Sequence, residues 1–214
     1  MPDRKRRFAL AAIALTFVFV AMPGLARAAT ITVTTLADPT GAAGTCSLRA
    51  AIIAANTKTT TSNCAAGTGT DTIRFSFVGG TITLNNSIGG TLPAIANTLT
   101  ITGSTTSPGI TISGGSGGTE VQLMVVNPGA TLNLRFLTMR DGSVTGVSNA
   151  RGGGILNNGT LTVANSTLSG NQTNGSDNGE GGAIFNNGTL TVANSTLSGN
   201  QTTGSGGDGG AIFN

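Results

Sequence analysis

One phrase of seventeen residues occurs twice in the last third of the chain and limits the possible folds more than any other feature. The letters NNGTLTVANSTLSGNQT fill residues 157–173 and again residues 186–202. A glycine-rich step precedes each copy, so that Ile155, Ile184 and Ile212 recur at intervals of 29 and 28 residues. A repeat of this length is typical of a solenoid, in which each unit packs on copies of itself.

The pattern inside one unit predicts the kind of solenoid. Leu190 and Val192 alternate with threonines, which indicates a strand with an apolar inner face and a threonine outer face. Ile184 and Leu197 begin two further short strands, and Asn and Gly, which tolerate tight bends, bound all three. The sequence therefore predicts an all-β fold, a parallel β-helix with three short strands per coil. Asparagines that follow the inward residues are expected to form internal ladders: Asn186, Asn194 and Asn200.

The start of the chain is typical of a secretory signal peptide. Four basic residues at positions 4–7 precede an apolar run from Phe8 to Met22, and Ala26-Arg27-Ala28 offers a cleavage site after Ala28. The apolar run is too short for a membrane-spanning helix, and no second run follows. Cleavage would remove five of the eleven Lys and Arg residues and one of the eight acidic ones, which leaves a net charge of −1. Nucleic-acid binding therefore has no electrostatic support.

Residues 29–70 are expected to cap the first coil. An amphipathic helix is predicted over residues 47–56, with Ser47 as N-cap and Asn56 at its end. Its apolar face would cover the open end of the solenoid and block pairing of the exposed edge. Cys46 and Cys64 flank the helix, and an isolated cysteine pair in an exported chain usually forms a disulfide. A metal site is the alternative, although two thiols without histidine hold a metal poorly.

These residues also carry a family resemblance. The letters CSLRAAIIAAN, the following CAAG and DTIRF, and the later GGAIFNNGTLTVANSTLSGN resemble the N-terminal CSLREA-type domain and coils of bacterial secreted proteins. The coils are also similar to polymorphic outer-membrane protein and pectate-lyase-like repeats. The resemblance implies a right-handed parallel β-helix on an exported, surface-associated protein. Ala50 replaces the glutamate of the motif, so the reciprocal bond of a capping box is absent.

The middle of the chain, residues 71–151, predicts irregular coils that continue without a linker into the near-identical coils of residues 152–214. Strand-like runs are separated by glycine- and proline-containing turns. They occupy residues 72–77, 81–84, 98–102, 110–113, 121–126 and 131–139. The run Gly209–Asn214 opens a further coil that the sequence does not finish. We therefore expect either a longer protein or self-association through this last coil.

Few residues offer catalytic or metal-binding chemistry. The chain contains no His, Trp or Tyr. Asp177 and Glu180 lie in the variable loop of one coil and Asp208 in the matching loop of the next, which makes them candidates for a calcium site. The alternative is that these acids only keep a glycine-rich loop soluble, since the loop lacks the repeating aspartates of calcium-binding solenoids. No other cofactor is predicted.

Two sets of outward residues are candidates for binding surfaces. The first set would stack into a flat threonine array and contains Thr160, Thr162, Thr189 and Thr191. The second set would stack as an apolar ladder, unless a loop buries it at a corner, and contains Leu156, Phe185 and Phe213. Threonine is also an ordinary outward strand residue, so an ice- or surface-binding role is a minor hypothesis.

The near-identical copies favour a repeated wall over a catalytic site, because a site needs one unique constellation of residues. The leading hypothesis is an exported, non-enzymatic β-helix protein of the cell surface that acts in display or adhesion toward an extracellular ligand. The alternative is a polysaccharide lyase or hydrolase of pectate-lyase-like fold. Whether the protein is an enzyme stays open at this point.

Overall fold

The computed structural model describes residues 28–38, 43–84, 86, 90–107, 109–115, 121–204 and 206–214. The predicted signal peptide lies outside the described residues except for Ala28. The described residues form helix α1 (Leu48–Thr57) and twenty short strands. The strands are β1 (Thr30–Val33), β2 (Asp71–Phe75), β3 (Gly79–Thr83), β4 (Thr98–Thr102), β5 (Gly109–Ser113), β6 (Met124–Val126), β7 (Thr131–Arg135), β8 (Leu137–Arg140), β9 (Ser143–Thr145), β10 (Asn149–Arg151), β11 (Ile155–Asn157), β12 (Thr160–Ala164), β13 (Thr167–Ser169), β14 (Gln172–Asn174), β15 (Asn178–Glu180), β16 (Ile184–Asn186), β17 (Thr189–Ala193), β18 (Thr196–Ser198), β19 (Gln201–Thr203) and β20 (Ile212–Phe213).

The strands stack into a parallel β-solenoid, as the sequence predicted. The largest sheet has six strands in the order β1-β2-β4-β7-β12-β17, and a second sheet has five in the order β18-β13-β8-β5-β3. Neighbouring strands in both sheets run parallel. In the repeated coils the register matches equivalent letters, so that Leu161 pairs with Leu190 and Ile155 with Ile184. One coil therefore lies directly on the next.

Alternation along the six-stranded sheet places the core. Inward residues of successive strands stack into rows, and from β1 to β12 these residues are at most 1% exposed. The row that pairs Leu99, Leu132 and Leu161 is one example. Outward positions between them carry mostly threonine. The period of two in the sequence thus directly sets which side chains form the core.

The first repeated coil contains two short strands that the sequence pattern did not predict, and the second contains one, β19. Besides the three expected strands, Gln172–Asn174 forms β14 and Asn178–Glu180 forms β15, and each pairs in parallel with its equivalent in a neighbouring coil. Their residues are polar and lack apolar alternation. Main-chain hydrogen bonds between stacked coils are enough to form these strands. The sequence therefore shows no alternation of apolar and polar residues that would predict them.

Helix α1 covers the first coil and begins where it was predicted. Ser47 is the N-cap, and its Oγ accepts a hydrogen bond from the Ala50 backbone N–H at 3.2 Å. The predicted end at Asn56 is wrong by one residue, because the helix continues to Thr57 and Lys58 takes the left-handed C-cap conformation. The Asn56 side chain instead bonds the backbone of Ala94 and Ala96, which fixes the helix to the coils.

One buried and one partly buried ion pair hold this cap. The Arg49 guanidinium donates to both carboxylate oxygens of Asp38 at 2.9 and 2.8 Å, and further to the carbonyls of Gly90 and Thr91. The side chains of Arg49 and Asp38 are 6% and 1% exposed. The second pair joins Lys58 Nζ to Asp71 Oδ2 at 2.8 Å.

Asp71 also gathers three backbone amides. Its Oδ1 accepts from Ala29, Thr68 and Gly69. Burial raises the pKa of Asp71, but the hydrogen bond from Lys58 and those from the three amides outweigh burial, and the pKa lies below its usual range. The ionised carboxylate therefore ties the helix end, the following loop and β2 together.

Two of the three predicted asparagine ladders lie inside the solenoid. Asn157 Nδ2 donates to Asn186 Oδ1, and Asn186 Nδ2 donates to Asn214 Oδ1, both at 2.6 Å. Asn171 Nδ2 donates to Asn200 Oδ1 at 2.9 Å. The expectation for Asn194 is wrong.

Asn194 and its equivalent Asn165 occupy left-handed corners, with φ of 48° and 50°, and their side chains are exposed. Phe136 adopts the same left-handed conformation one coil earlier, with φ of 54°. The corner at Phe136 divides the predicted strand 131–139 into β7 and β8.

Candidate functional site

The two cysteines lie beside the helix and are bonded to each other. Their Sγ atoms are 1.99 Å apart and both residues are buried. The bond closes a stretch of 18 residues that contains all of α1. The role of Cys46 and Cys64 in this structure is therefore to hold the cap.

The structure does not assemble the calcium candidates into a site. The side chains of Asp177 and Asp208 are exposed, and Glu180 Oε2 accepts from Arg151 Nε at 2.8 Å. Glu180 and Asp208 are neighbours only through a main-chain bridge. Among the described residues, no group of three or more His, Cys, Asp or Glu side chains could hold a metal ion.

The apolar ladder forms within strands β11, β16 and β20, and its middle residue is buried while Leu156 and Phe213 are partly exposed. Leu156 pairs with Phe185, and Phe185 with Phe213. The two rings stack with centroids 5.3 Å apart and planes 6° apart, and the Arg151 guanidinium covers Phe185 at 4.7 Å from its centroid. Phe185 is only 7% exposed, so its ring offers no free face to a ligand.

The threonine rows stack in register as expected. Thr160 pairs with Thr189, and Thr162 with Thr191. The first row continues through Thr131 of the preceding coil, but the second row meets Asn133 there. These rows form an even strip on the outer face of the six-stranded sheet and do not enclose a ligand.

The same outer face becomes concave over the earlier, irregular coils. A groove of about 690 Å³ crosses β2, β4 and β7 near their carboxyl ends. Residues with hydroxyl groups, arginines and phenylalanines line it: Thr72, Arg74, Phe75, Ser76, Phe77, Val78, Thr100, Thr102, Gly103, Ser104, Thr105, Arg135 and Phe136. None of the described residues that line the groove is Asp, Glu or His.

Two identical Arg-Phe dipeptides form the walls of the groove. In the strand register Thr102 pairs with Arg135, and Arg74 directly follows the pair Ile73–Ile101, which places Arg74 on the other side of Thr102. The two arginines are thus two strands apart, about 9.5 Å at ordinary strand spacing. Both side chains are exposed, because they alternate with inward aliphatic residues.

The middle coil has Thr102-Gly103 where its neighbours have Arg-Phe. Gly103 therefore lies between Phe75 and Phe136, and its lack of a side chain leaves the groove open. A Cβ atom at this position would collide with the carbonyl oxygen of Phe136 and lie 2.9 Å from the Leu137 side chain. Close stacking at the corner thus requires glycine here and produces the floor of the groove.

The charge of the groove is not neutralised. Arg49, Lys58, Arg140 and Arg151 each form an ion pair with a carboxylate at 2.8 Å. The side chains of Arg74 and Arg135 form neither an ion pair nor a hydrogen bond with any described residue. All six cations that follow the predicted cleavage site are included in this comparison. The two cations without a partner therefore lie in the same groove.

Aromatic side chains concentrate at the same place. Phe75 and Phe77 form a tilted pair with ring centroids 5.8 Å apart, and Phe136 lies across the groove from them. All three rings are partly exposed. Sequence analysis missed this groove. The signal that could have found it is the Arg-Phe dipeptide, which occurs at the same strand position in two coils.

Comparison with known proteins adds no relative. No protein-family model matches the chain, and no curated protein or solved structure matches it. In the part of the chain that the structure describes, no helix has the length and apolar character needed to span a membrane.

Proposed function

We propose that the chain is an exported, non-enzymatic β-helix protein that acts at the cell surface in display or adhesion, with the groove as its contact surface. The observation that carries this proposal is the lining of the groove. It combines exposed phenylalanine rings, hydroxyl groups and two cations without partners, which are typical of recognition. The resemblance to secreted CSLREA-type proteins supports export.

The chemistry of the groove argues against the lyase or hydrolase alternative. Glycoside hydrolysis needs a pair of carboxyl groups, and a calcium-dependent reaction needs oxygen ligands with negative charge. The described residues that line the groove include neither. The exposed acids Asp177 and Asp208 lie on the variable loops of the repeated coils and do not line the groove.

Two measurements test the proposal. In cells that produce the chain, an antibody should label intact cells, and mass spectrometry of the exported protein should place its first residue at Ala29. The purified protein should release no unsaturated or reducing ends from uronic-acid polymers, with or without calcium. Cleavage of such a polymer, or retention of the chain in the cytoplasm, would contradict the proposal.

Self-association through the last coil stays a prediction. In that coil Leu190 and Leu197 are only partly buried, and Val192 is 36% exposed. Sedimentation of the exported protein over a range of concentrations measures whether copies associate, and Leu190→Asn should then weaken the association.

A further inference from the structure

The groove has a charge and a shape that indicate the class of its ligand. We propose that it binds an acidic polysaccharide in extended form, with one carboxylate on Arg74 and another on Arg135. This inference rests on the proposed function and adds the ligand to it. The chain of sugars would lie along the solenoid axis, across β2, β4 and β7, because the two arginines share one row of the sheet.

The charges of the groove select an anion. Two exposed arginines on strands about 9.5 Å apart, with no carboxylate among the described lining residues, repel cations and attract negative charge. Guanidinium matches a carboxylate through two parallel hydrogen bonds, and neither arginine has such a partner within the described residues. An anion in the groove would supply it.

The remaining lining favours a sugar chain over other polyanions. Thr72, Thr100 and Thr102 present hydroxyl groups on the floor, where they can exchange hydrogen bonds with sugar hydroxyls. Phe75 and Phe136 present apolar ring faces at the two walls, onto which the C–H faces of sugar rings can pack. A nucleic acid would need more cations than two, since phosphate neutralisation dominates its binding.

The spacing of the arginines adds a requirement on the ligand. A single monosaccharide carries one carboxylate and reaches one arginine. A polymer with carboxylates at regular intervals reaches both arginines at once, and the second contact then forms at high effective concentration. We therefore expect binding to strengthen sharply from the monosaccharide to short oligomers.

The test is isothermal titration calorimetry, which measures the affinity of the purified exported protein for alginate, a uronic-acid polymer. Arg74→Gln and Arg135→Gln should each weaken binding about tenfold or more, because each removes a charge-assisted hydrogen-bonded pair. Both residues are exposed and form no side-chain hydrogen bond or ion pair with a described residue, so the variants should melt like the parent. Alginate with esterified carboxyl groups should bind no better than neutral dextran.

Arg140→Gln is the matched control. It removes one exposed cation from the same solenoid, outside the groove, where the Arg140 side chain donates to Asp141 at 2.8 Å. Equal weakening by Arg140→Gln would overturn the proposal in favour of diffuse charge attraction, and so would equal binding of the esterified polymer. No binding by the parent protein would also overturn it.

The outcomes separate this inference from the proposed function. If the protein is surface-exposed, cleaves no polymer and does not bind alginate, the proposed ligand is refuted and the proposed function stands. If the protein binds the polymer and then cleaves it, the groove is supported as a uronate site and the proposed non-enzymatic function is refuted.

Discussion

The early coils and the repeated coils share one inner face but differ on the outer face. The outer row that reads Arg74, Thr102 and Arg135 in the early coils continues as Ala164 and Ala193 in the repeats. The inner row beside it stays aliphatic throughout. The first region thus has a groove with charge and aromatic rings, and the second has an even strip of threonine and alanine.

This difference shows that stacking constrains the inward side chains of the coils more than the outward ones. An inward side chain must match the coil above and the coil below, so a change there has consequences in three coils. An outward side chain of a solenoid meets solvent, and a single coil can change it without loss of the stack. Sites for ligands are therefore expected where the outer rows depart from their neighbours, and structural ladders where they do not.

The two regions also differ in how they satisfy buried polar groups. The cap uses charged contacts that occur once, such as Arg49 with Asp38. The repeats use neutral amide contacts that recur every 29 residues, such as Asn171 with Asn200. The loss of the buried Arg49–Asp38 contact in the cap should therefore cost more than the loss of one amide contact in the repeats. Two variants test this, and a third tests the acid dependence of the cap.

The largest effect is expected from Asp38→Ala. This change leaves the Arg49 guanidinium buried without its carboxylate, which typically costs about 3–5 kcal/mol of unfolding free energy. Urea unfolding followed by circular dichroism measures it. The exposed pair offers the control, since Arg140→Ala should cost about 0–1 kcal/mol. The double variant Asp38→Ala, Arg49→Met should recover much of the loss, and a double variant as unstable as the single one would refute the assignment.

A smaller effect is expected from Asn171→Ala in the repeats. The Asn171 side chain accepts from the Gly142 amide and donates to the Met139 carbonyl and to Asn200. Leaving these buried groups unpaired should cost about 1–3 kcal/mol. Asn165→Gly is the control, because Asn165 is exposed and its left-handed backbone suits glycine. Equal melting of the two variants would show that the internal ladder contributes nothing.

The smallest effect is expected in the acid dependence of stability. The pKa of Asp71 is lowered in the folded chain, so the ionised carboxylate stabilises the fold above the ordinary aspartate pKa near 4. That contribution should vanish as the pH falls below 4 toward the lowered value. Between pH 6 and pH 2, the melting temperature should therefore fall less with decreasing pH in Asp71→Asn than in the parent protein. Exposed Asp177→Asn should match the parent, and an unchanged slope in Asp71→Asn would exclude the carboxylate clamp.

The fold was predictable because its determinants are periodic. The alternation around Leu190 and Val192, the repeat interval and the amphipathic helix each report a burial pattern directly. The strands of the variable loop were not predictable, because main-chain bonds between coils create them without apolar side chains. The groove was not predicted from the sequence for another reason. Arg74 and Arg135 are 61 positions apart in the sequence, and only the register of the strands makes them neighbours in one row.

The register between identical coils also makes the length of the protein adjustable. Residue 157 and residue 186 occupy equivalent places in successive coils, and their strands pair in parallel and in register. Deleting 29 residues between equivalent points would rejoin the backbone without distortion and shorten the rod by about 4.8 Å, the height of one strand. Recombination between the two gene segments that encode the copies would therefore add or remove whole coils. The capped end and its groove would keep their structure.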